Sequence, residues 1–363
     1  MGKQFHFVDL ASMHHLMDGL SFKVSRCAEV MDSALHGLNT KTGIPDRIIR
    51  WNERGADLSN FPPIPLEGRL IIDIEQSLNP TTGKTLHACE IKVEKNDFQT
   101  APVVFFSMTS FTLGVPMRVE VPLRALLKGG QKLKGTHSVY LHALLADSGE
   151  EYVYYGITKR GWNTRLMEHF KSSVRDQSNR LFPRKMGELI NARAAEINGV
   201  FDARPKLSGM VTALCAVGLT EQQAMDTEEY LVHKYSLSSL HKNGLNMIPG
   251  GYEGIRSLHA LSVIPDPTFL DTEAREDLLD GYIRAHPNLG VPNPGIAAAW
   301  NDPAYAEAVI CGRENRLDAE QVRQIRYLSA QGHSREVIKK TVGALDEKQV
   351  KRVLEGRTYL RIR

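Results

Sequence analysis

The stretch THSVYLHALLADSGEEYVYYGITKRGWNTRLMEHF, residues 136–170, decides how the rest of the chain is read. Val139, Leu141 and Ala143 alternate with Tyr140 and His142, the period-two pattern of a half-buried strand. Asp147, Ser148 and Gly149 supply turn chemistry, and Tyr152 to Ile157 is a second run rich in aromatic and β-branched residues. Inside that run Gly156 marks a point where the backbone turns sharply or approaches something closely. After Lys159, Arg160 and Gly161, Asn163 is the predicted N-cap of a helix carrying Arg165 and His169. Those two lie four residues apart and so project from one helix face. A hairpin and a helix thus gather tyrosines, basic groups and a histidine, a set suited to a phosphodiester rather than an apolar ligand.

Downstream, residues 180–191 predict a helix and SGMVTALCAV, 208–217, an apolar strand. Gly218, Leu219 and Thr220 lead into a further helix, EQQAMDTEEYLVHKYSL, whose Ala224, Met225, Leu231, Val232 and Tyr235 form one apolar stripe. Glu228 falls on that stripe, while Glu229 lies a step round toward solvent. An inward carboxylate among apolar neighbours is costly unless a cation or donors meet it. Two partners satisfy it: a hard divalent ion such as Mg2+, or an Arg or Lys from elsewhere in the core.

Ser138-Val139-Tyr140 and Tyr154-Tyr155-Gly156, with Arg165 and His169 on the next helix, resemble the motif of the GIY-YIG nucleases. Glu228, three residues before the apolar pair Leu231 and Val232, matches the glutamate of that family, and Gly244-Leu245-Asn246 with Gly250-Gly251 is similar to its closing segment. Ser138 stands where the family has its first glycine, and Tyr155 where it has an aliphatic residue. The resemblance implies an α+β multidomain protein with a small central α/β nuclease domain, a short antiparallel sheet flanked by helices. It further implies one Mg2+ (or Mn2+) per active site, held by Glu228, with Arg165 stabilising charge on the phosphate. Tyr140 then assists the nucleophilic water, Tyr154 and His169 orient water or phosphate, and Asn246 fixes the arrangement from behind. Lys159 and Arg160, beside the glycine turn, are candidates for phosphate contact.

The 363 residues suffice for two or three domains, and a formal charge of +3 confines any attraction to nucleic acid to local patches. Cys27, Cys89, Cys215 and Cys311 are scattered without a C-x-x-C pair, so neither a disulfide framework nor a structural zinc is expected, and a cytoplasmic setting is. No apolar run reaches membrane-spanning length, so no membrane partner is expected. Residues 1–130 predict an α+β domain of unassigned role, with a helix at 24–38 and strands at 69–78, 84–95, 103–107 and 115–121. His14 with His15, and His87 with Cys89, lack companions at ligand spacing and are read as ordinary strand or surface residues. Residues 127–135 resemble a flexible basic linker into a nuclease-like domain at 136–256.

From Arg256 the character shifts to a connector, 257–311, interrupted by Pro265, Pro267, Pro287, Pro292, Pro294 and Pro303, with one helix at 272–286. Residues 312–363 predict three short helices with tight turns, a helix-turn-helix plan. The inward residues are Val322, Ile325 and Leu328, then Val337, Ile338 and Val342, then Val350, Val353 and Leu354. Lys348, Gln349, Lys351, Arg352 and Arg357, followed by Arg361 and Arg363, suit base edges and flanking phosphates of double-stranded DNA. The segment also resembles the helical modules behind nuclease domains of homing and mobile-element endonucleases. A metal-dependent DNA endonuclease is therefore the expected function, as a monomer or a homodimer. The alternatives are a non-enzymatic DNA-binding regulator on a decayed nuclease fold and a structure-selective repair nuclease.

Overall fold

Among the described residues of a computed structural model, seven strands form a single sheet in the order β2-β1-β3-β4-β7-β5-β6. The strands are β1 (Arg69–Leu78), β2 (Thr85–Glu94), β3 (Val103–Thr109), β4 (Pro116–Pro122), β5 (His137–Ala146), β6 (Glu151–Thr158) and β7 (Leu207–Leu219). The description covers all residues except 1–4, 18, 56–67, 80, 96–100, 111–112, 131, 175–177, 261–273, 287–301, 312–315, 361 and 363. Most of the proline-interrupted connector, with Pro265, Pro267, Pro287, Pro292 and Pro294, lies outside the described residues, as do Arg361 and Arg363.

This sheet corrects the expected fold class. In place of a small central domain on a short antiparallel sheet, the sheet is mixed and runs unbroken from the N-terminal region through the central hairpin. β1 and β3 are parallel, β4 and β7 are parallel, and the remaining pairs are antiparallel. The joint between the two halves is β4 on β7, with Met117 opposite Met210 and Glu120 opposite Ala213. Strand order depends on pairing between segments far apart in sequence, which local hydrophobic period does not encode.

The expected hairpin forms: Tyr140 faces Gly156, and the turn closes with Gly149 at φ 85°, a left-handed conformation that glycine adopts without Cβ cost. β5, however, is buried on both faces instead of one. Val139 packs with Ala224, Met225 and Leu258 on one side, while Tyr140 and Leu144 join the main core on the other. Helices α1 (Leu10–Met17), α2 (Val24–Thr42) and α3 (Ile44–Glu53) contribute Met13, Leu16, Cys27, Met31, Leu35 and Ile48 to that same core. Ile72, Phe106 and Val119 from the first half of the sheet belong to the same buried cluster as Trp162, Leu166 and Phe182. Each such burial is worth about 1.5–3 kcal/mol, so the N-terminal region and the hairpin share one source of stability. Trp162 Nε1 donates to Leu16 O at 2.8 Å across the same boundary.

The described residues of 127–135 are docked rather than a flexible linker. Leu127 and Leu133 are buried, Lys128 N donates to Phe7 O at 2.9 Å, and Asn52 Nδ2 donates to Lys128 O at 3.2 Å. A short helix, α4 (Leu123–Leu126), precedes them. After the hairpin come α5 (Trp162–Val174) and α6 (Leu181–Ile197). Asn163 is inside α5 and does not cap it, because the helix begins one residue earlier to bury Trp162.

β7 leads into α7 (Glu221–Leu231), where Thr220 and Gln223 form a reciprocal capping box. The helix ends in a π-helical turn, Val232–Ser236. α8 (Gly251–Ala260) and α9 (Ala274–Ala285) complete this part of the chain, and Leu279 joins Val139, Met225 and Leu258 in a second apolar cluster. Two compact units result, Met1–Pro292 and Asn293–Arg363.

The second unit contains α10 (Pro303–Cys311), α11 (Ala319–Ala330), α12 (Arg335–Val342) and α13 (Glu347–Leu354). Asp318, Ser334 and Asp346 cap the last three helices through side-chain oxygens. Val322, Ile325, Ile338, Val342, Val350 and Val353 form the core with Tyr359, while Leu328 and Leu354 are half-buried at its edge. Val337, expected inward, is 46 % exposed, because the eight-residue α12 has a narrow buried face of Ile338 and Val342. No helix among the described residues is long and apolar enough to cross a membrane.

Candidate active site

A cavity of about 60 Å3 gathers Tyr154, Arg165, His169, Glu228 and Asn246. These five expected residues arrive from β6, α5, α7 and the segment before α8. A water needs ~10–15 Å3 by this measure, so the space holds several waters or one phosphoryl group. Gly156 lines it as well. A Cβ at Gly156 would lie 2.6 Å from the Tyr140 hydroxyl oxygen, so the glycine is what lets the phenol lie across the strand. Tyr140 itself is fully buried beneath the cavity rather than lining it.

Arg165 is 5 % exposed and lies beside the Tyr140 phenol as its electrostatic and hydrogen-bonding partner. Burial pulls the guanidinium down, but Tyr140 and Glu168 more than offset this and raise its pKa, so it stays charged. Arg165 Nη1 is 2.5 Å from Glu168 Oε2, and Glu168 also takes a two-point contact from the exposed Arg160 at 2.9 and 3.2 Å. Arg160 is thus committed to a surface ion pair, while Lys159 is exposed.

His169 is 1 % exposed, edge-on to Tyr154 at 5.2 Å and to Phe182 at 5.0 Å between ring centroids. Burial, then Arg180 and Arg165, push its pKa well below the usual value, so it is neutral near pH 7. Behind it, His142 bonds Thr212 Oγ1 through Nδ1 at 2.9 Å, and its pKa falls to about 3, first through burial and then through Arg165.

Glu228 is buried at 4 % exposure, and its hydrogen bonds to described residues are both on Oε2. Gly251 N donates at 2.8 Å and Arg275 Nη2 at 2.7 Å. The first is a carboxylate at the N-terminus of α8, where unsatisfied amides and the helix dipole favour negative charge. Neighbouring Glu229 does the same for Glu253 N at 3.0 Å. Gly250 and Gly251 make this approach feasible: a Cβ at Gly250 would lie 2.6 Å from Glu228 O, and one at Gly251 2.3 Å from Met225 O. The cation that meets the inward carboxylate is therefore Arg275 of α9.

A divalent ion suits the remaining donor. Glu228 Oε1 has no hydrogen-bond partner among the described residues and belongs to a cavity-lining carboxylate. Mg2+ is commonly held by one or two carboxylates with waters and phosphate oxygens completing the shell. Among the described residues no cluster of three or more His, Cys, Asp and Glu could hold an ion by itself.

Asn246 acts on the backbone. Its Oδ1 accepts from Tyr155 N at 2.9 Å and Ser236 Oγ at 2.6 Å, and its Nδ2 donates to Tyr155 O at 2.8 Å. It therefore joins the edge of β6 to the π-helical turn and positions both sides of the cavity. Tyr155 points to the opposite face, packed on Val232 and Leu237, so its aromatic ring does not enter the site.

Two lining residues escaped sequence reasoning, Arg180 and Arg275. Arg180 is the N-cap residue of α6, its pKa lowered by burial against the pull of Asp280. Neither arginine sits in a motif; a buried partner for Glu228 was the only signal, and it did not say which residue.

In the second unit Lys348, Lys351, Arg352 and Arg357 are exposed. Lys351 and Arg357 both lie near Glu355, at 3.5 and 3.2 Å. Gln349 Oε1 accepts from Leu345 N at 3.1 Å, so that oxygen closes the start of α13. No family model, curated protein or solved structure matches this chain.

Proposed function

We propose that the protein is a metal-dependent DNA endonuclease of GIY-YIG type that hydrolyses phosphodiester bonds, with the C-terminal helices supplying contacts to double-stranded DNA. One observation carries this reading: Tyr154, Arg165, His169 and Glu228 line a single small cavity although they come from three separate elements. Three arginines and one glutamate among its lining residues favour an anionic ligand.

Arg165 holds phosphoryl oxygens, its planar fork suited to two at once. Tyr140, buried behind the cavity with its phenol beside that guanidinium, is the proposed acceptor of a proton from the attacking water. His169, neutral and lining the cavity, orients that water or shares the proton. Glu228 holds the Mg2+ (or Mn2+), which when bound supplies Lewis-acid stabilisation of the phosphate and leaving oxygen.

A supercoiled-plasmid cleavage assay with Mg2+ or Mn2+ tests the reading. Arg165→Ala and Glu228→Ala are expected to lower cleavage by about 10²–10³, the scale of losing one preorganised charge-stabilising group. Undiminished cleavage in both variants overturns the site. The Arg275 contact to Glu228 favours a second reading, a DNA-binding regulator that does not cut. Absence of cleavage by the intact protein over varied DNAs selects that second reading.

A further inference from the structure

Glu228 is the one carboxylate among the described residues lining the cavity, and it shares that wall with Arg165, Arg180 and Arg275. Of the three, Arg275 is hydrogen-bonded to it. The other arm of the same guanidinium, Nη1, donates to Gly251 O at 3.0 Å. Arg275 therefore bridges the Glu228 carboxylate and the first carbonyl of α8, with 8 % of its side chain exposed. It is the second residue of α9, a position where the helix dipole disfavours a positive charge. Glu228 offsets that cost. α9 is itself anchored: Leu279 is buried, and Asp280 accepts from Ser178 Oγ at 3.2 Å and pairs with Arg284 at 2.6 Å.

Two consequences follow. A divalent ion at Glu228 enters a carboxylate already neutralised by a resident cation. It also enters a wall with more guanidiniums than carboxylates, which repels a cation until an anion is present. We propose that Arg275 competes with a divalent ion for Glu228, so that the site takes metal together with a phosphate-bearing ligand and not ahead of it. When the carboxylate is given up to the ion, Arg275 remains in the cavity wall as an additional phosphate-binding cation. This inference rests on Glu228 being the metal ligand of the proposed nuclease, and its test separates the two.

Mn2+ binding to the full chain is titrated by the loss of the free-ion paramagnetic resonance signal, for the unchanged protein and for Arg275→Ala, Arg275→Lys and Glu228→Gln. Removing a unit charge a few ångströms from the ion is worth about tenfold or more at a partly buried site. Arg275→Ala is therefore expected to bind Mn2+ at least about tenfold more tightly than the unchanged protein. Arg275→Lys, which keeps the charge but loses the two-armed bridge, is expected to lie between them. Inorganic phosphate is expected to tighten Mn2+ binding by the unchanged protein, an arm that needs no variant to fold. Equal Mn2+ affinity in the unchanged protein and in either folded Arg275 variant overturns the competition, as does indifference to phosphate. If Glu228→Gln still binds Mn2+ like the unchanged protein, the metal reading of Glu228 fails and the inference fails with it. If Glu228→Gln abolishes binding while the Arg275 variants change nothing, only the role of Arg275 is lost.

Discussion

The cavity and the C-terminal helices both collect basic residues, but under opposite physical conditions. In the cavity Arg165 and Arg275 are almost fully buried, and each has a carboxylate partner within 2.7 Å. On α13, Lys348, Lys351 and Arg352 face solvent, and Lys351 has only a looser pairing at 3.5 Å. A buried charge must be matched by its own protein, since water is not there to do so. An exposed charge needs no partner and remains open to a polyanion. Substitution should therefore disturb the fold in the first region and mainly binding in the second.

The sharpest way to break this contrast is to remove one member of the buried pair. Arg275→Ala leaves Glu228 with Gly251 N as its remaining partner among the described residues, and such losses cost about 3–5 kcal/mol. Urea unfolding is expected to show a loss on that scale. The double variant Glu228→Gln with Arg275→Met should recover part of it, because a pair exchanged for neutral groups leaves no stranded charge. A loss under about 1 kcal/mol, the range of surface pairs, would mean the contact is solvated and the contrast is false.

Next in size is the acid response of the two buried histidines. His142 has a folded pKa of about 3 and His169 one well below the usual value, both chiefly through burial. The unfolded chain takes up these protons near pH 6.5 and the folded chain does not. Their neutral burial is therefore fully tolerated above that pH, and stability is lost as pH falls below it. Each histidine should remove about 1.4 kcal/mol per pH unit below 6.5, continuing toward pH 3 for His142. His142→Asn is expected to be flatter in a plot of unfolding free energy against pH between 6.5 and 5. An unchanged slope would mean that His142 is protonated in the native state.

What the sequence made legible follows the same division. The α11–α13 cores were readable because helix period is a local signal, and Val337 strayed only because a short helix has a narrow buried face. The hairpin, Arg165, His169 and Glu228 were readable because a motif and an inward carboxylate point to them. Three features had no local trace. β4 pairs with β7 through a parallel contact between distant segments, and Trp162 reaches back to α1, so the N-terminal region proved to be part of the same sheet and core. Arg275 sits on a helix within what the sequence suggested was a connector, and only tertiary packing brings it to Glu228. Gln349, a candidate for base contact, also accepts from a local backbone amide, an ordinary interaction at helix starts.

The smallest effect on stability belongs to α13, and it sharpens the other side of the contrast. Lys351→Ala with Arg352→Ala removes two exposed charges and at most one weak surface pair, so folding should change by no more than about 0.5–1 kcal/mol. If these residues meet phosphates, binding to a duplex DNA should weaken, and the slope of log affinity against log salt should shrink by about one for each phosphate no longer neutralised. Gln349→Ala gives the internal control, because its side chain closes the start of α13. That change should lower stability by about 0.5–2 kcal/mol, the scale of removing a helix cap, with the salt slope untouched. Reversed results, a salt slope set by Gln349 and stability set by Lys351 and Arg352, would make the exposed face structural and the capping side chain the DNA contact.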